Sequence, residues 1–322
     1  MTPRATTVAA MDTLARTAVG LAALGRPAYI NLGRESALPA HRDVDTLRER
    51  TFAVLDAAYA AGVRRVDAAR SYGRAEEFLA AWLAERRPDD VIVSSKWGYT
   101  YVGQWRLDAD VHEVKEHSLA RFEEQWEQTR TGLGDVVSLY QVHSLTPDSP
   151  LFDDPALLEA LAALADTGVR VGFSTSGPKQ ADTVRRALEL TVHGSPVFTA
   201  VQSTWNLLEP SVGTALREAH DAGALVQVKE TLANGRLAVD PPAEVAETAR
   251  RHGIGTDALA VAAVYAQPWA DVVLLGPASV DQLRSNLAAA ALELPVAELE
   301  ALAAVAVSPE RYWADRSSLA WR

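Results

Sequence analysis

Short apolar segments alternate with longer amphipathic segments along most of the chain. Eight runs rich in β-branched residues predict buried strands, and each is followed by a segment with helical spacing of apolar residues. The predicted strands span residues 18–22, 64–68, 91–96, 136–143, 169–175, 198–203, 224–229 and 271–276. The predicted helices span about 45–61, 73–86, 118–131, 154–166, 178–190, 210–222, 256–267 and 280–291. Near-continuous apolar strands of this kind are typical of a parallel sheet with both faces covered.

Eight repeats of the strand–helix unit favour a closed (β/α)8 TIM barrel, of the α/β class, over an open doubly wound sheet. No Gly-x-Gly-x-x-Gly follows the first strand, which argues against a Rossmann arrangement. We expect a single barrel domain over residues 1–322, with its core at about 18–291 and a C-terminal tail at about 292–322. The long loops and this tail are expected at the rim where barrel enzymes keep their active sites.

Composition excludes several classes of function. The chain has 322 residues, a formal net charge of -11 and no cysteine. The negative charge argues against a nucleic-acid or anionic-membrane partner. The lack of cysteine excludes disulfides, thiolate metal sites and Cys nucleophiles, and it fits a reducing compartment. Asp12 and Arg16 interrupt the N-terminal segment, so we expect no signal peptide. No stretch of 18 or more residues is apolar and uncharged, so we expect no membrane span. We expect a cytoplasmic location.

Four polar residues fall at or just after the ends of three consecutive predicted strands. Asp67 ends the second strand, and Tyr72 follows it on the loop. Lys96 ends the third strand, and His143 ends the fourth. The C-terminal ends of neighbouring parallel strands meet at one rim of a barrel, so we expect these four side chains to lie together.

This combination suits proton donation by a phenol. A free tyrosine has a pKa of about 10, and a nearby ammonium favours the phenolate, so we expect Lys96 to lower the pKa of Tyr72. A buried carboxylate is costly unless it is paired, which predicts an ion pair between Asp67 and Lys96. His143 is expected to hydrogen-bond a substrate carbonyl oxygen and to orient it.

The segments "VDAARSYG", "SSKWG", "YQVH" and "VGFST" resemble motifs of the aldo-keto reductases and occur in the same order. The resemblance runs from about residue 18 to 291. It implies a (β/α)8 barrel that binds NADP(H), sometimes NAD(H), in extended form. It assigns the family's catalytic tetrad to Asp67, Tyr72, Lys96 and His143, with the tyrosine protonating the carbonyl oxygen while the nicotinamide passes a hydride to the carbon.

The resemblance also implies a set of cofactor-binding residues. Ser174 and Gln202 match the family, whereas Thr175 stands where Asn is usual. Leu232, Asn234, Gly235 and Arg236 resemble a pyrophosphate-binding turn, and Gly276, Ser279, Gln282, Ser285 and Asn286 resemble a clamp for the phosphates and adenosine. NADP(H) is favoured over NAD(H), with Arg284 as the candidate cation at a 2′-phosphate.

The largest departure from the family lies in "VQVKETLANGRL". The family commonly has an aromatic residue here, with its ring stacked on the nicotinamide, and this chain has Lys229 followed by Glu230. A lysine cannot stack as a ring does, but its charge would disfavour the cationic oxidised nicotinamide unless Glu230 offsets it. A local ion pair between the two residues, without a part in function, is the alternative.

Aromatic residues near the predicted rim suggest an apolar or aromatic substrate, or stacking on a sugar face. The candidates are Trp97, Tyr99, Trp105, Trp205 and Trp313; the alternative is that half of them only pack the loops. We expect no metal, because His112 and His117 are five positions apart and a zinc-binding helix needs four.

These observations favour an NADP(H)-dependent carbonyl reductase or alcohol dehydrogenase that acts on a small-molecule carbonyl or alcohol. Two alternatives stay open. The departures at Lys229 and Thr175 suit a sensor that keeps a bound nicotinamide nucleotide and turns over little. Lysines at two strand ends suit a Schiff-base enzyme, although a pairing with Asp67 would keep the Lys96 ammonium protonated.

Overall fold

A computed structural model describes residues 8–322. Eight parallel strands close into a barrel in chain order, each paired with its sequence neighbours, and the last strand pairs with the first. They are β1 (Thr17–Gly20), β2 (Arg65–Asp67), β3 (Ile92–Trp97), β4 (Val137–Leu145), β5 (Arg170–Thr175), β6 (Ala200–Thr204), β7 (Leu225–Lys229) and β8 (Val272–Leu275). The predicted (β/α)8 barrel is therefore confirmed, and each strand overlaps one of the eight predicted runs.

Helices surround the barrel. Those that correspond to predicted helices are Val44–Ala60, Ala75–Arg86, Leu119–Leu133, Pro155–Asp166, Gln180–Leu188, Gly213–Asp221, Thr256–Tyr265 and Val280–Leu287. The sequence prediction missed Val8–Ala15, Arg34–Ala37, Arg236–Val239, Ala243–His252, Val296–Leu302 and Pro309–Ser317. Short 3₁₀ helices span Gly134–Val136, Pro150–Asp153, Ala288–Ala291 and Ala303–Val305. None of the helices within residues 8–322 has the length and apolar character needed to cross a membrane.

Two small antiparallel hairpins stand outside the barrel. One pairs Tyr99–Tyr101 with Glu113–Lys115, and the other pairs Thr191–Val192 with Ser195–Pro196. The first hairpin lies within the long segment after β3, where the sequence predicted neither a strand nor a helix. It brings Tyr99 and Glu113 to the barrel mouth.

The main hydrophobic core lies between the barrel wall and the helices. Most β-branched residues of the strands are buried, and in β1 all four residues are buried. Successive side chains of a strand point to opposite sides. This alternation places polar residues such as Lys96 inside the barrel and sends the neighbouring Trp97 outward into the helix layer, where it packs on Phe122.

Strand register brings the polar strand ends to one level. Gly20 pairs with Asp67, and Asp67 pairs with Ser94 of β3. The C-terminal tail reaches the same rim, where the backbone of Arg322 exchanges two hydrogen bonds with that of Tyr29, with N···O distances of 3.0 and 3.1 Å. The tail therefore helps to enclose the mouth of the barrel, as the sequence predicted.

Candidate active site

An elongated cavity opens at the C-terminal ends of the strands and encloses about 300 Å³, which is at the lower end of the range for ligand pockets, about 300–1,000 Å³. It runs from Tyr72 and His143 over the ends of β7 and β8 to Gln282 and Asn286. The predicted site residues that line it are Asp67, Tyr72, Tyr99, His143, Gln202, Lys229, Leu232, Asn234, Gly235, Gly276, Gln282 and Asn286.

A buried ion pair lies beneath one end of the cavity. The Lys96 ammonium donates to a carboxylate oxygen of Asp67, and the two side chains are 0% and 3% exposed. Lys96 also donates to the Ala68 carbonyl at 3.0 Å, and Asp67 accepts from the Ser94 hydroxyl at 2.7 Å. The predicted pairing is present, and it satisfies a charge that burial would otherwise penalise.

Tyr72 is held above this pair by a tight turn. Its hydroxyl is 3.4 Å from the Lys96 Nζ. Gly73 has φ of 61°, and Gly25 lies so close that a Cβ there would be 2.2 Å from the Tyr72 carbonyl oxygen. The Arg74 N–H donates to the Gly25 carbonyl at 2.7 Å. Gly73 thus allows the two backbone segments to approach each other closely, and this turn directs the phenol of Tyr72 into the cavity.

The pKa of Tyr72 differs from the sequence-based expectation. Burial raises it well above 10, and the negative charge of Asp67 adds to that effect. The lowered pKa expected from the sequence is not found, because burial removes the hydration of the phenolate and Asp67 adds negative charge. Tyr72 is therefore a neutral phenol that holds its proton.

His143 lies beside Tyr72, with ring centroids 5.5 Å apart in an edge arrangement. Its Nδ1 is 3.3 Å from the Ser71 hydroxyl, and its Nε2 has no hydrogen-bond partner in the described part of the chain. Burial lowers the pKa of His143 well below 6.5, and the charges of Lys96 and Lys229 lower it further. A neutral imidazole at this point can donate one N–H to an oxygen in the cavity.

Lys229 belongs to a cluster of charges on the cavity wall. Its Nζ donates to the Thr204 hydroxyl at 2.8 Å and is 3.7 Å from Glu230, which forms a closer pair with Arg316 at 2.6 Å. Burial lowers the pKa of Lys229 to about 8, against the opposing effect of Glu230. Burial alone would raise the pKa of Glu230, but Arg316 and then Lys229 lower it to about 2.

Arg26, Tyr29 and Glu113 lie at the mouth and were not found from the sequence. Arg26 is 1% exposed, and its guanidinium lies within 5.3 Å of the ring centroids of Tyr29, Tyr72 and Trp321. It donates to Glu113 at 2.6 Å. The only sequence signal for Arg26, Tyr29 and Glu113 was their position in segments predicted to lie at the rim. The mouth thus combines aromatic rings with the ion pair between Arg26 and Glu113.

The opposite end of the cavity has features that suit a dinucleotide. The buried Oδ1 of Asn234 has no hydrogen-bond partner, and the backbone N–H groups of Leu232 and Asn234 donate no hydrogen bond within residues 8–322. A Cβ at Gly276 would find no atom within 4 Å, so the backbone there is open to a ligand. Unused N–H donors beside an open backbone fit a pyrophosphate.

Five predicted cofactor residues lie outside the cavity wall. The Ser174 hydroxyl accepts from the Ser144 N–H, and the Thr175 hydroxyl bonds Ser203 and Gln180. Arg236 packs over the Tyr312 ring at 4.3 Å. The others are Ser279, which caps the helix Val280–Leu287 through the Gln282 N–H, and Ser285, which is partly buried on that helix. The contacts of Ser174, Thr175 and Arg236 are with neighbouring parts of the protein.

Four of the five predicted aromatic residues also lie away from the cavity wall. Trp97 is buried in the helix layer because it follows Lys96 by one strand position. Trp105 donates to the Arg42 carbonyl at 2.8 Å, and Trp205 packs on Trp269. Trp313 packs beneath Lys229, whose Nζ is 5.9 Å from the ring centroid. Only Tyr99 of this set lines the cavity, with Trp321 as a second ring.

His112 and His117, which the sequence argued against as zinc ligands, have different neighbours in the structure. His112 stacks on Trp321 with centroids 4.3 Å apart, and His117 bonds the Ser149 hydroxyl and the His143 carbonyl. Burial lowers the pKa of His117 to about 4. Within residues 8–322 no group of three or more His, Asp or Glu side chains is arranged to hold a metal ion.

Comparison with known proteins agrees with this architecture. The model of the aldo/keto reductase family matches residues 42–307. Aldo-keto reductase str7 of Strobilurus tenacellus is 24% identical over 297 residues, covering 81% of this chain and 82% of str7. Protein tas of Escherichia coli K12 is 25% identical over 315 residues, covering 80% of this chain and 90% of tas.

A solved structure of a Pseudomonas aeruginosa protein assigned to the same family is similar in fold. It has a TM-score of 0.62 and 22% sequence identity, and the match covers 86% of this chain and 89% of the other. The family match extends over most of the barrel, including the strands that carry Asp67, Lys96 and His143. The chain therefore belongs to the aldo-keto reductase family, whose members are oxidoreductases that act on carbonyl groups.

Proposed function

We propose that this protein interconverts an aldehyde or ketone and the corresponding alcohol with a nicotinamide dinucleotide, and that Tyr72 is the acid that protonates the carbonyl oxygen. The observation that carries the proposal is the position of the Tyr72 hydroxyl. It lines the cavity beside His143 and is 3.4 Å from the Lys96 ammonium. When bound, the reduced dinucleotide supplies the hydride that adds to the carbonyl carbon.

Tyr72 is suited to give its proton to an oxygen that becomes negatively charged. Its raised pKa keeps the phenol protonated before the reaction. An alkoxide is a much stronger base than a phenolate, so proton transfer from Tyr72 to the developing alkoxide is favourable. The phenolate that remains lies beside Lys96, which Asp67 and the Ala68 carbonyl hold in place.

The surroundings of the carbonyl oxygen add electrostatic stabilisation. His143 is neutral and can offer an N–H to the oxygen. Arg26 and Lys229 place positive charge on the walls at this end of the cavity. Fixed donors and charges around a developing oxyanion lower the barrier because they need no reorganisation during the reaction.

The dinucleotide would extend from this end toward Asn234, Gly235, Gly276 and Asn286. The open backbone at Gly276 and the unused N–H donors at 232 and 234 support this location. Gln202 lines the cavity, and its amide nitrogen already donates to Gln227 at 2.8 Å, which fixes the orientation of its side chain.

The first test is binding followed by turnover. NADH and NADPH are titrated separately while the tryptophan fluorescence is followed, and the loaded protein is then assayed with a panel of aldehydes and ketones. We expect saturable binding and oxidation of the reduced nucleotide. Tyr72→Phe should lower kcat by about 10²–10⁴-fold, the usual contribution of a general acid, while nucleotide binding is retained.

Tyr59→Phe is the matched control, because Tyr59 lies on the helix Val44–Ala60 and bonds Asp90 at 2.9 Å outside the cavity. Binding without turnover across the panel would favour a nucleotide sensor over an enzyme. Normal turnover by Tyr72→Phe would refute the assignment of the proton donor.

A second candidate function is supported by Lys229 alone. Its ammonium lines the cavity and has a pKa lowered by burial to about 8, so a fraction of the amine is neutral at neutral pH. Neutral lysines form imines with carbonyl compounds. Borohydride treatment with a carbonyl substrate tests this, since a covalent adduct lost in Lys229→Met would establish a Schiff-base enzyme. Lys96 is a poorer candidate because it is paired with Asp67.

A further inference from the structure

We infer that the nucleotide site prefers NAD(H) to NADP(H), because the end of the cavity that would receive the adenosine ribose presents a carboxylate and no available cation. This inference rests on the proposed function and specifies its cofactor. The sequence favoured NADP(H), with Arg284 as the candidate cation.

The direction of the dinucleotide follows from the chemistry. The reacting carbonyl must contact Tyr72, so the nicotinamide has to lie at the Tyr72 end of the cavity. A dinucleotide is long, and its adenosine half must then occupy the opposite end. That end is formed by Gly276, Gln282 and Asn286 with Asp257.

Asp257 brings negative charge to the adenosine end. It lies in the first turn of the helix Thr256–Tyr265 and is partly buried. Its Oδ2 accepts from the Asn286 amide at 2.8 Å, and its Oδ1 accepts no hydrogen bond within the described part of the chain. A free carboxylate oxygen can accept a hydrogen bond from a ribose hydroxyl, as acidic residues do in NAD sites.

The position of Arg284 on its helix turns the side chain away from this site. Gln282 and Asn286 are four residues apart on the helix Val280–Leu287 and share its cavity face. Arg284 lies midway between them, about 200° around the helix. Its side chain is 73% exposed and is 3.6 Å from Asp281.

The other cations that line the cavity are not available either. Within residues 8–322 they are Arg26, Arg34, Lys229 and Arg316. Arg26, Lys229 and Arg316 belong to the Tyr72 end and are close to Glu113 or Glu230. Arg34 is 1% exposed, and its three guanidinium nitrogens donate to four backbone carbonyls.

Gln282 contributes an uncharged side chain to this end of the cavity. Its side-chain oxygen accepts from the Ala278 N–H at 2.8 Å, and its nitrogen is 3.4 Å from the Gly33 carbonyl. A phosphate monoester on the ribose carries a charge of about −1.5 to −2 at neutral pH. Near Asp257, and with no cation to offset it, this charge is disfavoured, whereas a hydroxyl is tolerated.

Binding of adenosine-end fragments tests the inference directly. ADP-ribose and 2′-phospho-ADP-ribose differ only in the 2′-phosphate, so isothermal titration with each reports on this end of the cavity. NADH and NADPH are titrated in parallel. We expect the Kd of the unphosphorylated member of each pair to be lower by about tenfold or more.

Two substitutions at the adenosine end should change this preference. Gln282→Arg adds a cation to the cavity wall, so we expect tighter binding of 2′-phospho-ADP-ribose that weakens as salt is added. Gln282→Met is its neutral control. Asp257→Asn keeps an oxygen for the Asn286 amide and removes the negative charge, so the discrimination against the phosphate should fall.

The outcomes separate this inference from the proposed function. Tighter binding of NADPH, or loss of NADPH binding in Arg284→Gln, would overturn the preference for NAD(H) and leave the proposed function intact. Failure of the wild-type protein to bind either dinucleotide would overturn the proposed function together with the inference. Unaltered Kd values in Arg284→Gln support the position of that side chain outside the site.

Discussion

The ion pair between Asp67 and Lys96 can be tested by a double-mutant cycle that requires no substrate. Lys96→Met keeps the length of the side chain and removes its charge. The Asp67 carboxylate would stay buried with only the Ser94 hydroxyl at 2.7 Å and the Gln202 amide at 3.3 Å as donors. Removing one partner of a buried pair costs about 3–5 kcal/mol, because the remaining charge is left uncompensated.

The burial of both groups sets the size of the effect. Their side chains are 0% and 3% exposed, so solvent screening does not reduce the penalty as it does for surface pairs. Asp67→Asn should lower the free energy of unfolding by a similar amount, because it leaves the ammonium with the Ala68 carbonyl and the Tyr72 hydroxyl as its remaining neutral neighbours. The double variant carries neither charge and should lie within about 2 kcal/mol of the wild type.

Urea unfolding followed by both tryptophan fluorescence and far-ultraviolet circular dichroism supplies the four free energies. The unfolding transitions followed by the two probes must coincide, because the cycle requires two-state unfolding. Lys179→Met, at an exposed lysine, is the control and should have little effect. The assignment of a tightly coupled buried pair would be refuted if the decreases in the free energy of unfolding of the two single variants were additive in the double variant. It would also be refuted if each single substitution lowered that free energy by less than about 1 kcal/mol.

Two further predictions concern the acid stability of the mouth and the turn that carries Tyr72. The pKa of Glu230 is lowered to about 2 from 4.5, so this carboxylate contributes stability that is present above pH 4.5 and is lost as the pH falls toward 2. The difference in pKa corresponds to about 3 kcal/mol of the free energy of unfolding. Between pH 5 and pH 2 the free energy of unfolding of Glu230→Gln, measured by urea unfolding, should therefore fall by about 3 kcal/mol less than that of the wild type. Equal decreases in the two proteins would contradict the strong pairing with Arg316. Gly25→Ala should lower the free energy of unfolding by about 3 kcal/mol, near the upper end of overpacking costs, because its Cβ would lie 2.2 Å from the Tyr72 carbonyl oxygen. Gly132→Ala is the matched control, since a Cβ there meets nothing within 4 Å in the helix Leu119–Leu133; it should stabilise by about 0.5–1 kcal/mol, and equal effects of the two substitutions would refute the close approach.

The order of strands and helices could be predicted from the sequence because local patterns carry that information. Buried parallel strands are short and β-branched, and the helices between them have helical periodicity. Asp67, Lys96 and His143 could be grouped for the same reason, since each ends a predicted strand and neighbouring strand ends meet at one rim. The helices Ala243–His252 and Pro309–Ser317 were missed, because they belong to segments outside the regular alternation.

The inward or outward direction of single residues was harder to predict. Trp97 follows an inward-facing lysine and so faces the helices, and Arg284 lies between two cavity residues of one helix and so faces solvent. Both follow from the two-residue and 3.6-residue periods once a reference residue is known. From residue type alone, the sequence suggested that Trp97 contacts the substrate and that Arg284 binds a phosphate.

The sequence by itself determined the barrel, the position of its chemical rim and the four polar residues at one end of the cavity. Only the tertiary structure decided that Arg26 and Glu113, 87 residues apart, form a pair at the mouth, that Arg316 of the tail pairs with Glu230, and that Asp257 lines the same cavity as Gln282 and Asn286. Electrostatics were decided there too, including the raised pKa of Tyr72. Such contacts join segments that are distant in the chain, and their charges depend on burial, which no local pattern records.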